Sequence, residues 1–546
     1  MTKKTLLLNA TILLPQLVVA QSAELNEAYK KYYGEYENCK ISKDSPNILL
    51  ITSDQHHWMA IGYNDPKCKT PNLDRLASKG VIFDKAYTCN PVSTPSRASI
   101  ITGRYPSQHG AYALGTKLPE TELCIGDCLS ECGYETALIG KAHFQPLGGT
   151  AEYPSAEAYP ILQDFDFWKE FYGPFYGFDH VELARNHADE PHVGQHYAIW
   201  LQNQVGEKWR DWYRTPTGNA PKGQYGAWKM PEKYHTDAWI AERCIALLDQ
   251  YKKGDKPFML WASFFDPHNP YLIPEPWASM YKPEDMDIPE TVNDDISDMP
   301  LHYRVTREEN PHKSIWAEGN PSYPVHGIAQ HRWTKEKLQQ NKAIYYGMVS
   351  MMDHYIGKIL DHLEENGQID NTLIIFTTDH GAFIGHHGLV GKGVFDYEDA
   401  VKIPFIASYK GKMPQGVRSQ ALISLVDIAP TILGMAGKKI PRCMTGIDQT
   451  DVFMGNKKEI RDHVIVENRF QMTKFYVCTY IDKHYKLAFD MNSNEGELFD
   501  LKNDPNELIN LWNDEKYKDI KTELLLKALQ SRMKAEPVLM PRVAGA

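Results

Sequence analysis

Residues 93 to 104 read STPSRASIITGR, and local structure alone does not account for all of them. As a helix start the stretch is simple: Ser93 or Thr94 serves as N-cap, Pro95 takes the first helical position, and Ala98, Ile100 and Ile101 form the buried face. That leaves Arg97 one turn in, and Thr102-Gly103-Arg104 where the helix stops. A helix N-terminus presents unpaired N–H groups at the positive end of a dipole, and Arg97 adds a bidentate donor. The stretch therefore predicts an oxyanion site, and the rest of the chain must say which anion.

Further polar residues of the same chemistry stand at the ends of apolar runs. PNILLITSDQHH leads to Asp54, Gln55, His56 and His57; YETALIGKAHF to Lys141 and His143; KPFMLWASFFDPHNPY to Asp266 and His268; NTLIIFTTDHG to Asp379 and His380. A single Asp-His pair after a strand is an ordinary turn or cap, but four such tails offer carboxylate, amide and imidazole donors together. Oxygen-rich sets of this kind suit a hard divalent cation such as Ca²⁺ or Mg²⁺, and neither a three-histidine nor a cysteine-rich zinc set is present. Lys141, Lys392 and Arg97 would surround the anion that the cation also neutralises.

These tails have to be positioned by strands, and the pattern between them is helical. TPNLDRLASKG, ELCIGDCLSECG and QQNKAIYYGMVSMMDHYIGKILDHLEENG are amphipathic. Alternating strand and helix predicts an α/β fold with a large, mostly parallel sheet sandwiched by helices. Ligands of open α/β sheets bind outside the carboxyl ends of the strands, so the tails should converge.

The whole chain sets the limits. Its 546 residues carry 59 Lys and Arg against 70 Asp and Glu, a formal charge of −11 with the two signs mixed along the sequence. This argues against a nucleic-acid surface and requires any anionic substrate to be held by a local positive pocket. The opening MTKKTLLLNATILLPQLVVAQS reads as a secretory signal of residues 1–20 cleaved after Ala20, so the mature chain is expected to be exported, to periplasm or medium. No second segment is long enough for a membrane span. Nine cysteines leave at least one unpaired; Cys124, Cys128 and Cys132, spaced by four with no nearby histidine, are expected to be small buried residues rather than a zinc site.

At this point the sequence resembles the type I sulfatases of the alkaline-phosphatase superfamily. Their signature, Cys or Ser, any residue, Pro, any residue, Arg, closing in Thr-Gly-Arg, is matched by Ser93 to Arg104. Further segments match in order: NILLITSDQ, GYETALIGKAHF, DPHNPY, YYGMVSMMDHYIGKIL, TTDHGAFIGHHGLVGKG, VDIAPTIL and GELFDLKNDPNELINL. Cys89-Asn90-Pro91 offers a start four residues earlier, but from it the arginine position would fall on Ser93. Serine in the first position resembles the subgroup matured by an anaerobic radical enzyme, so the resemblance implies that a serine-type maturase converts Ser93 to formylglycine (3-oxoalanine), hydrated as a geminal diol.

Carried over by position, the resemblance implies that Asp54, Gln55, Asp379 and His380 hold Ca²⁺ together with residue 93. Gln55 stands where many members have a second aspartate. Arg97 is expected to orient the diol, and Lys141 and Lys392 to contact sulfate oxygens. His143 matches the base that deprotonates the second hydroxyl, and His268 the proton donor to the leaving group. The catalytic domain is expected over 45–439, and a C-terminal α+β subdomain with a small antiparallel sheet and a terminal helix over 440–546. The expected substrate is a sulfated glycan or monosaccharide, with pocket walls supplied by the aromatic-rich segment Phe165 to Tyr234 and with Arg185, His187, His196 and Arg469 binding the sugar. Two alternatives share parts of this reading: a phosphodiester or phosphonate monoester hydrolase of the same superfamily, and a non-catalytic glycan-binding protein.

Overall fold

The computed structural model describes residues 41–42, 44–185, 190–215, 225–311, 327–470, 475–539, 542 and 544. The expected signal at 1–20 and His187 lie outside the described residues. An eight-stranded sheet forms the centre, in the order Val417–Ser424, Val81–Tyr87, Ile406–Tyr409, Thr372–Thr378, Asn47–Ser53, Phe258–Ser263, Glu135–Gly140 and His180–Leu183. Only Ile406–Tyr409 runs antiparallel to its neighbours. The four strands whose tails carry candidate site residues are consecutive and parallel, so their carboxyl ends meet.

The apolar runs become central strands because both faces of the sheet are covered. In Asn47–Ser53, Ile48 and Leu50 enter one core while Leu49 and Ile51 enter the other, as the two-residue period of a strand requires. The 31-residue helix Lys335–Glu365 lies on the second face, where it buries Tyr345, Tyr346, Met351 and Met352. The first face is covered by Ser93–Thr102, Ile125–Glu131 and Ile428–Met435.

A four-stranded antiparallel meander, Val464–Phe470, Phe475–Ile481, Tyr485–Asp490 and Gly496–Asp500, precedes the terminal helix Lys518–Lys534. Ile465, Leu487, Leu498 and Leu524 belong to the core of the first face, so the meander and helix are continuous with the large sheet's packing. Among the described residues no helix is long and apolar enough to cross a membrane.

The cysteines depart from expectation at one position. Cys124 and Cys128 are free and buried; Cys132 is buried in the same core as expected, and departs only in being disulfide-bonded. The aromatic segment departs more widely. Trp168, Trp209 and Tyr197 are at most 1% exposed, and Trp212, Tyr213 and Trp228 are buried with them, so these rings build core rather than pocket walls.

Candidate active site

The helix that opens the signature begins at Ser93 itself, with Val92 as an extended N-cap that makes no side-chain cap bond. This corrects the expected start: neither Ser93 nor Thr94 caps, and Pro95 lies in the third position. The consequence is chemical, because the Ser93 hydroxyl is left for the site. Ser93 Oγ lies 3.1 Å from His380 Nε2 and 3.4 Å from Lys392 Nζ, completely buried. The turn beneath it is fixed by Ser96 Oγ donating to the Asn90 carbonyl at 2.6 Å, and by Thr88 Oγ1 donating to the Asp379 carbonyl at 2.7 Å.

The two arginines of the signature have different tasks. Arg104 pairs with Glu122. Arg97, fully buried, donates from Nε to Asp379 Oδ2 at 2.8 Å, from Nη1 to Ser263 Oγ at 2.7 Å and to the Lys141 carbonyl at 3.0 Å, and from Nη2 to Asp54 Oδ2 at 3.3 Å. Its fork therefore ties together the ends of four strands, two of them through their carboxylates; no bond to Ser93 is among these.

Asp54, Asp379 and His380 bring an oxygen, an oxygen and a ring nitrogen within 4.8 Å of one another. Asp54 Oδ1 and Gln55 Oε1 are buried without a hydrogen-bond partner. His380 gives its Nδ1 proton to the Gly381 carbonyl at 2.8 Å, which leaves the Nε2 lone pair facing the group, and burial lowers its pKa to about 4 so that it stays neutral. Two carboxylates, an amide oxygen and a neutral imidazole fit a divalent cation.

Two other groups among the described residues have metal-like composition, His57 with His386 and Asp399, and His235 with Asp237 and Asp266. His57 and His235 in these groups are committed to other partners. His57 Nδ1 accepts from the Met59 N–H at 3.1 Å, so Nε2–H donates to Asp399 at 2.8 Å. His235 Nδ1 accepts from the Asp237 N–H at 3.2 Å.

Positive charge surrounds the same point. Lys141 Nζ is ion-paired with Asp54, and burial lowers its pKa to about 8 against the opposing pull of Asp54. Burial disfavours the Asp54 carboxylate, but the cationic Lys141, Arg97 and Lys392 around it hold its pKa well below the usual range. Arg97, Lys141 and Lys392 against Asp54 and Asp379 leave one net positive charge before any cation binds, which suits an anionic ester. Lys392 Nζ also lies 2.9 Å from His268 Nε2. His268 donates from Nδ1 to the Asn269 carbonyl, so its Nε2 accepts from Lys392.

Gln55 and His143 adopt left-handed backbone, φ 60° and 59°, a conformation that costs a non-glycine residue about 1–3 kcal/mol unless its surroundings impose it. Gln55 is held by its N–H on Asp379 Oδ1 at 3.1 Å and by Tyr345 OH on its carbonyl at 2.7 Å. The His143 N–H donates to Glu157 Oε2 at 3.0 Å.

The four residues expected to bind sugar fare differently. His196 is a correction: Nδ1 accepts from the Leu183 N–H at 2.9 Å and Nε2 donates to the Phe171 carbonyl at 2.9 Å, so a buried ring has both nitrogens spent on the fold. Arg469 is half-buried against the rings of Tyr112 and Tyr476. Arg185 is buried on Glu157. His187 is outside the described residues.

Residues that the sequence reading did not single out also shape the site. Ser263 accepts from Arg97 and donates to the Lys141 carbonyl at 2.6 Å; its signal was a polar residue closing an apolar strand. Glu157 carries no motif that could have revealed it. A cavity of about 780 Å³ lined in part by His302, Phe475, Ala488 and Glu497 contains none of the convergent groups, so geometry rather than cavity size locates the chemistry.

Comparison with known proteins identifies the family. The profile of the family described as Sulfatase matches residues 46–438, and one described as N-sulphoglucosamine sulphohydrolase, C-terminal, matches 385–534. An arylsulfatase of Clostridium perfringens (strain 13 / Type A) is 31% identical over 508 residues, 89% of this chain and 95% of that protein. The phosphonate monoester hydrolase of Agrobacterium radiobacter superposes with a TM-score of 0.72 at 24% identity, covering 91% of this chain and 97% of the other. A protein crystallised with its substrate D-glucosamine-2-N,6-O-disulfate gives 0.68 at 21%, covering 90% and 98%; these two show the fold. The family match takes in every residue of the pocket from Asp54 to Lys392, and the chain is accordingly a type I sulfatase of the alkaline-phosphatase superfamily, a sulfuric ester hydrolase.

Proposed function

We propose that this sulfatase removes sulfate from a sulfated carbohydrate, using residue 93 as formylglycine and Ca²⁺ held by Asp54, Gln55, Asp379, His380 and residue 93. The observation that carries the reading is the position of Ser93: a fully buried hydroxyl that caps no helix, at the junction of the neutral His380 imidazole and the Lys392 ammonium, in a pocket that also holds Arg97 and Lys141. A serine hydroxyl in such surroundings has no base to activate it, since His380 Nε2 faces the proposed cation. Formylglycine would supply a hydrated aldehyde as nucleophile, and the cation would neutralise charge on the sulfate oxygens.

The chain's own residues do the rest. Arg97 keeps the two carboxylates in register, and Lys141 and Lys392 face the sulfate oxygens. Lys392 donates to His268 Nε2, and burial lowers its pKa, which eases passage of that proton to His268. His268 is half-buried whereas the other site side chains are closed, so the leaving alcohol departs on its side and Nε2–H meets the departing oxygen. His143, anchored by Glu157, takes the proton whose loss returns residue 93 to the aldehyde.

The carbohydrate assignment draws support from the disulfated glucosamine bound to the structural neighbour. Export after cleavage at Ala20 and maturation by a serine-type enzyme complete the proposal. The same donor set would accept a phosphoryl group, and rates on matched sulfate and phosphonate esters rank the two.

The decisive measurement is the mass of the peptide carrying residue 93 from natively produced protein, expected about two mass units below serine for loss of two hydrogens. Ser93→Ala should abolish turnover. A fully active protein with unmodified serine would overturn the mechanism.

A further inference from the structure

Arg185 follows the edge strand His180–Leu183 and is 1% exposed. Its Nη1 donates to Glu157 Oε2 at 2.7 Å. The Glu157 carboxylate also accepts from the backbone N–H groups of His143, Phe144 and Gln145 at 3.0, 2.8 and 3.1 Å. One carboxylate thus anchors both the left-handed turn at His143 and a buried guanidinium.

That guanidinium is only partly used. Nε and Nη2 of Arg185 are buried and have no hydrogen-bond partner. These two groups form one edge of the planar fork, with parallel N–H bonds spaced to meet two oxygens of a carboxylate or a sulfate. Unsatisfied buried donors are uncommon, and each calls for an explanation. Neutralising Glu157 uses only the other side of the group. Through Glu157 Oε2 the guanidinium shares an acceptor with the His143 turn, which ties Arg185 to the wall of the sulfate pocket. Arg97 shows what such an edge does here: its own Nε and Nη2 hold Asp379 and Asp54.

We propose that Arg185 is a specificity residue whose Nε and Nη2 grip a second oxyanion of the substrate, a carboxylate or another sulfate on the molecule whose ester is cut. The proposal rests on sulfate-ester hydrolysis at residue 93 and narrows the substrate class to sulfate esters that carry a further anionic group.

The test compares kcat/KM within matched pairs, using the active enzyme: a hexose sulfate against the hexuronate with the same sulfate, and a hexosamine monosulfate against its disulfate. The wild type should prefer the anionic member of at least one pair by roughly tenfold or more, and Arg185→Lys should lose that preference. The pair that shows the effect tells carboxylate from sulfate. No preference in either pair, or an equal loss on both members in the variant, overturns the proposal. The wild-type comparison stands even where the variant fails to fold. Turnover of aryl sulfates but of no sugar sulfate would defeat the carbohydrate reading alone; the oxyanion proposal is then decided by 3-carboxyphenyl sulfate against its neutral carboxamide, with the same two criteria.

Discussion

Replacing Asp379 by asparagine tests the metal site and the arginine network at once. The carboxylate has both oxygens in use: Oδ1 accepts from the N–H groups of Gln55 and His380 at 3.1 and 2.9 Å, and Oδ2 accepts from Arg97 Nε at 2.8 Å. An amide has one acceptor oxygen. Turned towards the backbone it presents NH₂ to Arg97, and turned towards Arg97 it presents NH₂ to two N–H groups. In either orientation a fully buried Arg97 keeps Asp54 as its remaining carboxylate partner. Removing one partner of a buried ion pair costs about 3–5 kcal/mol, and for a chain of this size that lowers the melting temperature by roughly 3–5 °C.

Calcium supplies the second readout. A ligand at about 100 times its Kd stabilises the native state by about 2.7 kcal/mol, so the wild type should melt higher with Ca²⁺. Asp379→Asn should lose both this rise and turnover. Differential scanning calorimetry with and without the ion reads both quantities. A variant with the wild-type melting temperature would refute the buried-pair argument, and one with a wild-type calcium rise would refute the assignment of Asp379 as ligand.

Two further outcomes are expected. Burial raises the Glu497 pKa to about 8 although Lys486 opposes it, and its Oε2 accepts from Tyr303 OH at 2.9 Å. Because the folded value lies above the unfolded one, the group contributes fully below about pH 4.5 and loses that contribution as pH rises towards 8. Glu497→Gln cannot ionise, so its unfolding free energy, read by denaturant melts, should gain on that of the wild type between pH 5 and 8, by on the order of 3 kcal/mol in full; a constant gap across that range would show that Glu497 titrates normally. Arg469→Ala should lower turnover of a sulfated glycan by roughly tenfold, about 1.4 kcal/mol of transition-state binding, and that of a small aryl sulfate much less. Equal losses on both substrates would make Arg469 a strut between Tyr112 and Tyr476 rather than a sugar contact.

The sheet and the convergence of its tails were legible because each carrier strand is an unbroken apolar run that ends abruptly in Asp, Lys or Ser. Such a run must be buried on both faces, and its first polar residue must then lie at the strand end, where parallel neighbours put their own. Ser93 and Arg97 were legible for a different reason: their spacing places them one turn apart at a helix start. His196 misled because residue type says nothing about whether ring nitrogens are free, and here two backbone groups claim them. The aromatic segment misled in the same way, since a tryptophan fills core or lines a pocket with equal chemical aptitude. Glu157 was invisible, because its work depends on three consecutive N–H groups that become available only when His143 turns left-handed.

The C-terminal meander shows how much of an active site can lie outside its motifs. Its first strand meets the turn before Ser93, where the Glu467 N–H donates to the Cys89 carbonyl at 2.8 Å and Asn90 Nδ2 donates to the Glu467 carbonyl at 2.5 Å. The next residue, Asn468, reaches the segment after Lys392, donating to Asp396 Oδ1 at 2.9 Å, while Thr479 Oγ1 donates to Asp396 Oδ2 and Lys486 Nζ to the Asp396 carbonyl, both at 2.6 Å. Ser93 and Lys392 are 299 residues apart in the chain, and their side chains must stand 3.4 Å apart. The helix dipole positions one and the strand end at Thr378 leads towards the other, but neither element fixes their separation. A buried strand that bonds the turns beside both does fix it. The antiparallel sheet is thus a gauge for the Ser93 and Lys392 side chains, which gives a physical reason for its hydrophobic continuity with the core of the large sheet.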